Sequence, residues 1–400
     1  MASIAISKNG RVLYQRSIGA ARLTSQDTIA ADENTEYRLG SISKMFTATM
    51  VFQLLEEKKL SPDEKLSDYF PQLPNAGSIT ISNLLYHRSG LPNFTSNSNF
   101  DDWKGRLQTE DQLLGLIVGR KPDFEPNAKA DYNNSNYLLL GFIIEKICKK
   151  PYSVVVNERV ISRIGLKQTY YAHNTELGKY ESASYKYFDN KWGADKVVAL
   201  ENFGGAGAIV STPTDMLKFI SALFSGRLVS PASLHNMQTM VEGYGMGMFP
   251  FEFDTHHGFG HNGKTEGFAS SLVYYPEDKL AIAYCTNGEI YSKDDILNGV
   301  RAIIFNKPFT IPDFSRITLS ESQLNQYTGN YSGASSGLSA VVTRDGGNLV
   351  LESRGQKFKL IPIDNHKFLN EQFGFFFEFN KEGKQLLIID VESVYELGKQ

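Results

Sequence analysis

Ser41 and Lys44 stand three residues apart in the run Arg38-Leu39-Gly40-Ser41-Ile42-Ser43-Lys44-Met45-Phe46-Thr47. On a helix that spacing sets the two side chains on one face, one turn apart. A hydroxyl is a poor nucleophile until a base takes its proton. An amine can take it once burial or a nearby cation lowers its pKa toward neutrality. One helical turn therefore holds a nucleophile and a candidate base. The same residues also suit an ordinary helix start with a solvated lysine, so the pair gains meaning only from further groups.

Two more motifs supply such groups. Tyr132-Asn133-Asn134 stands directly before the apolar run 134–148. A phenol at the start of a helix can relay a proton. An amide such as Asn134 can donate to and accept from a substrate amide or the lysine. The plainer reading is an N-cap asparagine beside a buried tyrosine. The third motif is Gly260-His261-Asn262-Gly263-Lys264, followed by Gly267-Phe268. Glycine there would let a strand backbone approach a ligand closely. A backbone N–H of that strand could face a developing oxyanion, opposite the N–H of Ser41. His261 could donate to substrate or tune Tyr132; a strand-end histidine with no chemical role is the alternative.

In this order and separation, Ser-x-x-Lys, Tyr-x-Asn and His-x-Gly resemble the serine β-lactamase and penicillin-binding-protein superfamily. The branch they resemble holds class C β-lactamases, D-specific carboxypeptidases and aminopeptidases, and carboxylesterases. The flanks are similar too: Tyr37-Arg38-Leu39-Gly40, Ile79-Thr80-Ile81 through His87-Arg88-Ser89-Gly90-Leu91, Leu139-Leu140-Gly141-Phe142-Ile143-Ile144-Glu145, and Ile164-Gly165-Leu166-Lys167-Gln168-Thr169. The resemblance spans residues 1–306.

It implies an α/β (α+β) β-lactamase/transpeptidase-like fold: an antiparallel sheet with helices on both sides and a helical subdomain. It implies a metal-independent serine hydrolase with no cofactor, working through an acyl-enzyme on Ser41. Lys44 and Tyr132 would share general-base and general-acid work, and Asn134 would orient substrate. His261 would line the third strand. Gly263 would precede Lys264, whose N–H would be the second oxyanion donor. Tyr170, Tyr171, Phe203, Tyr244 and Phe249 fall where family members line the substrate cleft. The implied substrate is a small molecule or peptide cleaved at an amide or ester, of D-peptidase or carboxylesterase type. A β-lactamase, or a non-catalytic penicillin-binding or receptor-like protein that only traps an acyl group, stays open. His261 stands where many β-lactamases have lysine, which weakens β-lactam hydrolysis because a fixed cation there attracts the antibiotic carboxylate. Lys264-Thr265-Glu266 superficially resembles the lysine motif but lacks its glycine.

The elements that must carry these residues can be read from pattern. Asn9-Gly10 between two short β-prone runs predicts a hairpin within residues 1–30. Helices are expected at 41–59, 79–86, 109–118, 134–148, 213–224 and 293–305, the fifth capped by Thr212 with Pro213 and Asp215 in its first turn. Strands are expected at 267–275 and 280–286. Gly204-Gly205-Ala206-Gly207 lacks the lysine of a phosphate loop. Residues 309–320 read as a linker. Beyond it, β-prone runs recur at 329–331, 339–343, 348–351, 358–362, 373–379 and 386–389. Residues 1–308 are thus expected as the hydrolase domain and 321–400 as a small all-β barrel. Tyr327-Thr328-Gly329-Asn330-Tyr331-Ser332-Gly333 resembles the lipocalin-like modules that some members of the superfamily carry.

The bulk numbers limit partners. The chain has 400 residues, 41% hydrophobic and 21% charged, with net charge −3, so no basic field invites nucleic acid or anionic lipid. No apolar run reaches the ~18 residues of a membrane span. The abrupt start at a strand is compatible with a removed leader, so a periplasmic or secreted location is expected, with a cytoplasmic one left open. Oligomeric state is not legible. Cys148 and Cys285 read as free thiols in apolar elements, with a disulfide left open. His256, His257 and His261 near Asp254 match no zinc spacing.

Overall fold

Asn9 and Gly10 both take positive φ, 53° and 76°, the geometry of a two-residue hairpin turn that matches strand twist. They join β1 (Ala2–Lys8) to β2 (Arg11–Ile18), with Lys8 opposite Arg11. The computed structural model describes all residues except 25, 26, 98, 173–176, 189, 190, 197, 291, 310, 312–316, 334–336, 354, 371–374 and 390–393. Most of the expected linker therefore falls on or beside residues outside the described set, as do positions 373 and 374 of one expected strand. Packing divides the chain into two units, residues 1–185 with 194–288, and residues 186–193 with 289–400.

In the first unit, β3 (Tyr37–Arg38) leads to a 3₁₀ turn and then α1 (Ser43–Glu56). Residues 43–54 of α1 are all buried, the mark of a helix enclosed on every side. α2 (Asn134–Cys148) is capped by Asn133, whose side chain accepts from the Ser135 N–H, and ends on Lys149 at φ 53°. β4 (Ile209–Ser211) pairs antiparallel with β3 and leads into α3 (Pro213–Phe224), capped by Thr212 as expected. Then follow β5 (Phe249–Phe253), β6 (His256–Thr265), β7 (Phe268–Tyr275) and β8 (Leu280–Thr286). The main sheet is antiparallel, in the order β5-β6-β7-β8-β1-β2. α3 packs on β1, β7 and β8. The Phe46 ring of α1 stacks on Phe219 of α3 with centroids 3.9 Å apart, tying the buried helix to the layer that covers the sheet.

The second unit contains the helix Lys293–Ile304 and a closed barrel of eight strands. The strands are β9 (Gly329–Ser332), β10 (Ser339–Asp345), β11 (Asn348–Ser353), β12 (Gln356–Pro362), β13 (Lys367–Asn370), β14 (Phe375–Phe379), β15 (Gln385–Ile389) and β16 (Val394–Lys399). β9 pairs with β16, closing the barrel and removing its sheet edges. Tyr331, Leu349, Leu360, Phe368, Phe377, Phe379 and Leu397 fill its interior. Two strands, β13 and β16, are absent from the sequence-based expectation. Both cysteines are free, Cys285 buried and Cys148 half-buried.

Candidate active site

Ser41 is set at its place by the backbone before it. The Leu39 N–H donates to the Ile209 carbonyl at 2.9 Å, and Gly40 takes φ 53° to swing the chain into the 3₁₀ turn. A Cβ on Gly40 would lie 2.7 Å from the Lys264 carbonyl oxygen, so only glycine fits both the conformation and the approach. The turn runs into α1, whose enclosure leaves Lys44 with no exposed surface.

The Lys44 Nζ lies 3.0 Å from Ser41 Oγ, 2.8 Å from Asn134 Oδ1 and 2.9 Å from the Ala206 carbonyl oxygen. An ammonium donates to all three. A neutral amine has two N–H donors and one lone pair. Asn134 Oδ1 and the Ala206 oxygen can only accept, so the hydroxyl of Ser41 is the one of these partners that can return a proton to nitrogen. The three contacts thus orient the amine lone pair at Ser41. Asn134 is held in turn, its Nδ2 donating to Thr95 Oγ1 at 3.0 Å.

The Ala206 carbonyl arrives through the glycine run. Thr47 Oγ1 donates to the Gly205 carbonyl at 2.6 Å, and a Cβ on Gly205 would sit 2.6 Å from the Tyr137 oxygen. Gly205 therefore wedges between α1 and α2, where only glycine leaves room.

Aromatic rings cover the lysine. The Tyr132 ring centroid is 4.8 Å from Lys44 Nζ. His87 packs 4.6 Å and His261 6.1 Å from Tyr132, and Phe249 meets His261 edge-on at 4.7 Å, with Tyr244 5.4 Å from Phe249. His261 Nδ1 contacts the Asn262 carbonyl, which only accepts, so Nδ1 carries the proton and Nε2 keeps a lone pair. Burial, reinforced by the Lys44 charge, pushes the His261 pKa down to about 3. His261 is therefore neutral at pH 7 and provides no fixed cation. His87 is held well below the ordinary histidine range by burial first, then by Lys44 and His261; its Nδ1 accepts from the Asn133 N–H at 3.1 Å.

The strand β6 lies against the serine turn. A Cβ on Gly263 would fall 1.9 Å from the Leu39 carbonyl oxygen, and Ser270 Oγ, opposite Gly263 on β7, donates to that same oxygen at 2.8 Å. The backbones of 39–40 and 263–264 are thus in direct contact, which brings the Lys264 segment beside Ser41.

All seven sequence-based candidates, Ser41, Lys44, Tyr132, Asn134, His261, Gly263 and Lys264, fall in this one region. Of the aromatic candidates, Tyr244 and Phe249 join the rings, and Phe203 packs on Phe94 and Phe100. Tyr170 and Tyr171 differ: Tyr170 donates to Glu36 at 3.0 Å and Tyr171 packs on Tyr152. His256 faces Asp278 at 2.8 Å and His257 faces Glu252. Among the described residues no group of three His, Cys, Asp or Glu side chains is gathered to hold a metal. Sequence reasoning missed His87, Thr95 and the Ala206 carbonyl. The glycine run was the one available signal for Ala206, since its tight spacing announces close backbone approach.

Comparison with known proteins agrees with this geometry. The Beta-lactamase family matches residues 2–304. Penicillin-binding protein 4* of Bacillus subtilis is 26% identical over 399 residues, covering 92% of this chain and 87% of that protein. The teichoic acid D-alanine hydrolase of Staphylococcus aureus is 27% identical over 251 residues, 63% of this chain and 60% of that protein. The D-amino acid amidase of Ochrobactrum anthropi superposes with TM-score 0.68 at 26% identity, over 76% of this chain and 93% of that one. No helix among the described residues is long and apolar enough to cross a membrane. With its β-lactamase/transpeptidase-like fold and its serine–lysine pair, the chain belongs to the Beta-lactamase family and is a metal-independent serine hydrolase.

Proposed function

We propose that Ser41 is acylated by an amide or ester substrate whose acyl group carries a D-configured amino acid. The Lys44 amine takes the Ser41 proton as Oγ bonds to the substrate carbonyl carbon. The proton then passes by way of the Tyr132 hydroxyl to the departing nitrogen or oxygen as that bond breaks. The backbone N–H groups of Ser41 and Lys264 receive the oxyanion, with Gly263 giving the strand its close approach. Asn134 orients both lysine and substrate, and neutral His261 lines the third strand as an acceptor at Nε2. Water, activated by the same groups, releases the acyl chain. The observation that carries this reading is the position of Lys44 Nζ, 3.0 Å from Ser41 Oγ and held by two oxygens that can only accept.

The choice of substrate rests on two supports. A D-amino acid amidase and a teichoic acid D-alanine hydrolase are among the proteins to which this chain is similar. Neutral His261 offers no cation for a substrate carboxylate, which favours aminoacyl amides and esters over carboxypeptidase substrates and β-lactams. We further propose hydrolase bounds of 1–308, a linker at 309–320 and a barrel domain at 321–400, and a location outside the cytoplasm. The family match over 2–304 and barrel strands starting at Gly329 support the bounds.

The test is a panel of D- and L-aminoacyl amides, p-nitrophenyl esters and a chromogenic cephalosporin, with intact-mass analysis and a Ser41→Ala control. Turnover of the D-aminoacyl substrates, with labelling lost in Ser41→Ala, is expected. A single stable adduct without turnover would make the protein an acyl-trapping receptor, and labelling retained in Ser41→Ala would overturn the mechanism.

A further inference from the structure

Glu266 buries a carboxylate that the proposed mechanism leaves unused. Its side chain is 4% exposed, as is that of Arg38, and Glu266 Oε1 lies 3.4 Å from Arg38 Nη1. The other oxygen, Oε2, is buried without a hydrogen-bond partner among the described residues. Burying a carboxylate is costly unless it is paired, and Arg38 is the countercharge that Glu266 meets. Its place in the chain suggests a task. Arg38 stands three residues before Ser41, and Glu266 two residues after Lys264. Between them lies the contact that brings 39–40 against 263–264, where no Cβ fits on Gly40 or Gly263. Arg38 is anchored independently, by Glu181 at 2.9 Å and by the Val198 carbonyl at 3.1 Å. Glu266 sits in the turn joining β6 to β7 at φ 49°. The next residue, Gly267, donates its N–H to Ser184 Oγ at 2.8 Å.

We propose that the Arg38–Glu266 ion pair is a clamp that fixes the separation of the Ser41 and Lys264 N–H groups, making Glu266 a positioning residue for the oxyanion site. The proposal rests on the acyl-enzyme reading for its effect on rate, but its geometric content stands apart from it. Both pair members lie outside the reacting centre, and each is joined through the backbone to one donor. Preorganised donors lose their advantage when their spacing relaxes, so a loosened clamp slows acylation without removing the nucleophile.

The clamp carries a pH dependence. Burial pushes the Glu266 pKa up to about 7, against the opposing pull of Arg38 and of a hydrogen bond from the Val198 backbone; Asp195 also raises it, and Lys104 lowers it. Glu181 shares Arg38 from the other side. As pH falls through 7, Glu266 takes up a proton, the pair loses its charge on one side, and the clamp loosens.

Glu266→Gln tests this, since glutamine keeps the size and one acceptor oxygen but mimics the protonated acid. Two measurements are needed. The first is the second-order rate of Ser41 acylation by a small fluorophosphonate against pH. At pH 8 the variant should react roughly tenfold more slowly, short of the ~10²–10³ for losing a donor outright. Below pH 6 the two proteins should converge, while the final extent of labelling stays complete. The second is amide hydrogen exchange at residues 40–41 and 263–266, which should quicken in the variant at pH 8. Parallel pH profiles, or unchanged exchange, would overturn the clamp even with Ser41 acylated normally. Quickened exchange in a protein whose wild type is never labelled would sink the acyl-enzyme reading and leave the clamp standing.

Discussion

Lys44 and Phe368 are both fully buried, one in the unit that holds the serine and the other inside the C-terminal barrel. Lys44 is surrounded by polar partners at hydrogen-bond distance and by rings on its flank. Phe368 meets the Tyr327 and Phe379 rings, with centroids 5.5 Å away in both cases. Among the described residues of the barrel, Asn370 is the buried polar one, and its amide is satisfied by the Lys359 carbonyl at 3.0 Å. The first unit buries Arg38, Lys44, His87, Asn136, Asn202, His261 and others. Burying a polar group costs stability unless partners are exact in place. A chain that meets this cost many times in one region and almost nowhere in another has put its chemistry in the first. The barrel follows the simpler rule of alternating strands around an apolar centre.

The largest expected effect tests the polar side of this contrast. Lys44→Ala should slow acylation by on the order of 10² to 10⁴-fold, the range for lost general-base work. Lys44→Arg should not restore it, because arginine does not give up its proton. Single-turnover labelling rates decide the matter; near-normal values in both variants would remove Lys44 from the mechanism.

The apolar side makes the next prediction. Phe368→Ala empties the barrel centre and should destabilise the barrel by about 3–5 kcal/mol. Ser41 labelling by a small probe should continue at its normal rate. Thermal unfolding followed beside labelling separates the two outcomes. If labelling collapses together with the barrel transition, the chemistry is not confined to the first unit.

The same contrast explains what was legible in the sequence. α2 and α3 declared themselves through periodic apolar residues and caps such as Asn133 and Thr212, because those signals are local. Ser41, Lys44, Tyr132, Asn134, His261 and Gly263 were legible as three short motifs. His87 was not: itself at φ 57°, it meets Tyr132 across 45 positions, and nothing nearby in sequence marks that meeting. The Ala206 contact uses a backbone oxygen, which has no residue code. Thr95 holds Asn134 from an irregular stretch without periodicity. In the barrel, β13 spans only four residues, and β16 carries Glu396, Gly398 and Lys399. Both lack the β-branched run that marks a strand, and barrel closure rather than propensity fixes them.

The smallest effect concerns acid stability, where the buried histidines set the sign. His261 is neutral in the folded protein, with its pKa pushed down to about 3 from an ordinary 6.5, and His87 is displaced in the same direction. Unfolding exposes both rings to water, where they titrate near 6.5. Between pH 3 and 6.5 the unfolded chain therefore binds more protons than the folded one. Stability then rises with pH across that window and is fully present above it. Lowering the pH from 7 to 5 should cost about 2 kcal/mol for His261 alone, taking ~1.4 kcal/mol per pH unit below the unfolded pKa. The barrel buries no histidine to match, so the loss belongs to the first unit. His261→Gln keeps a polar side chain of similar reach but cannot titrate. It should flatten the slope of unfolding free energy against pH in the first unit's transition by one histidine's share, leaving the part due to His87. Denaturant unfolding at several pH values from 5 to 8 measures that slope. An unchanged slope in the variant would mean that His261 is already solvated or charged in the folded state, and the neutral imidazole on which the preference for amides and esters rests would be lost.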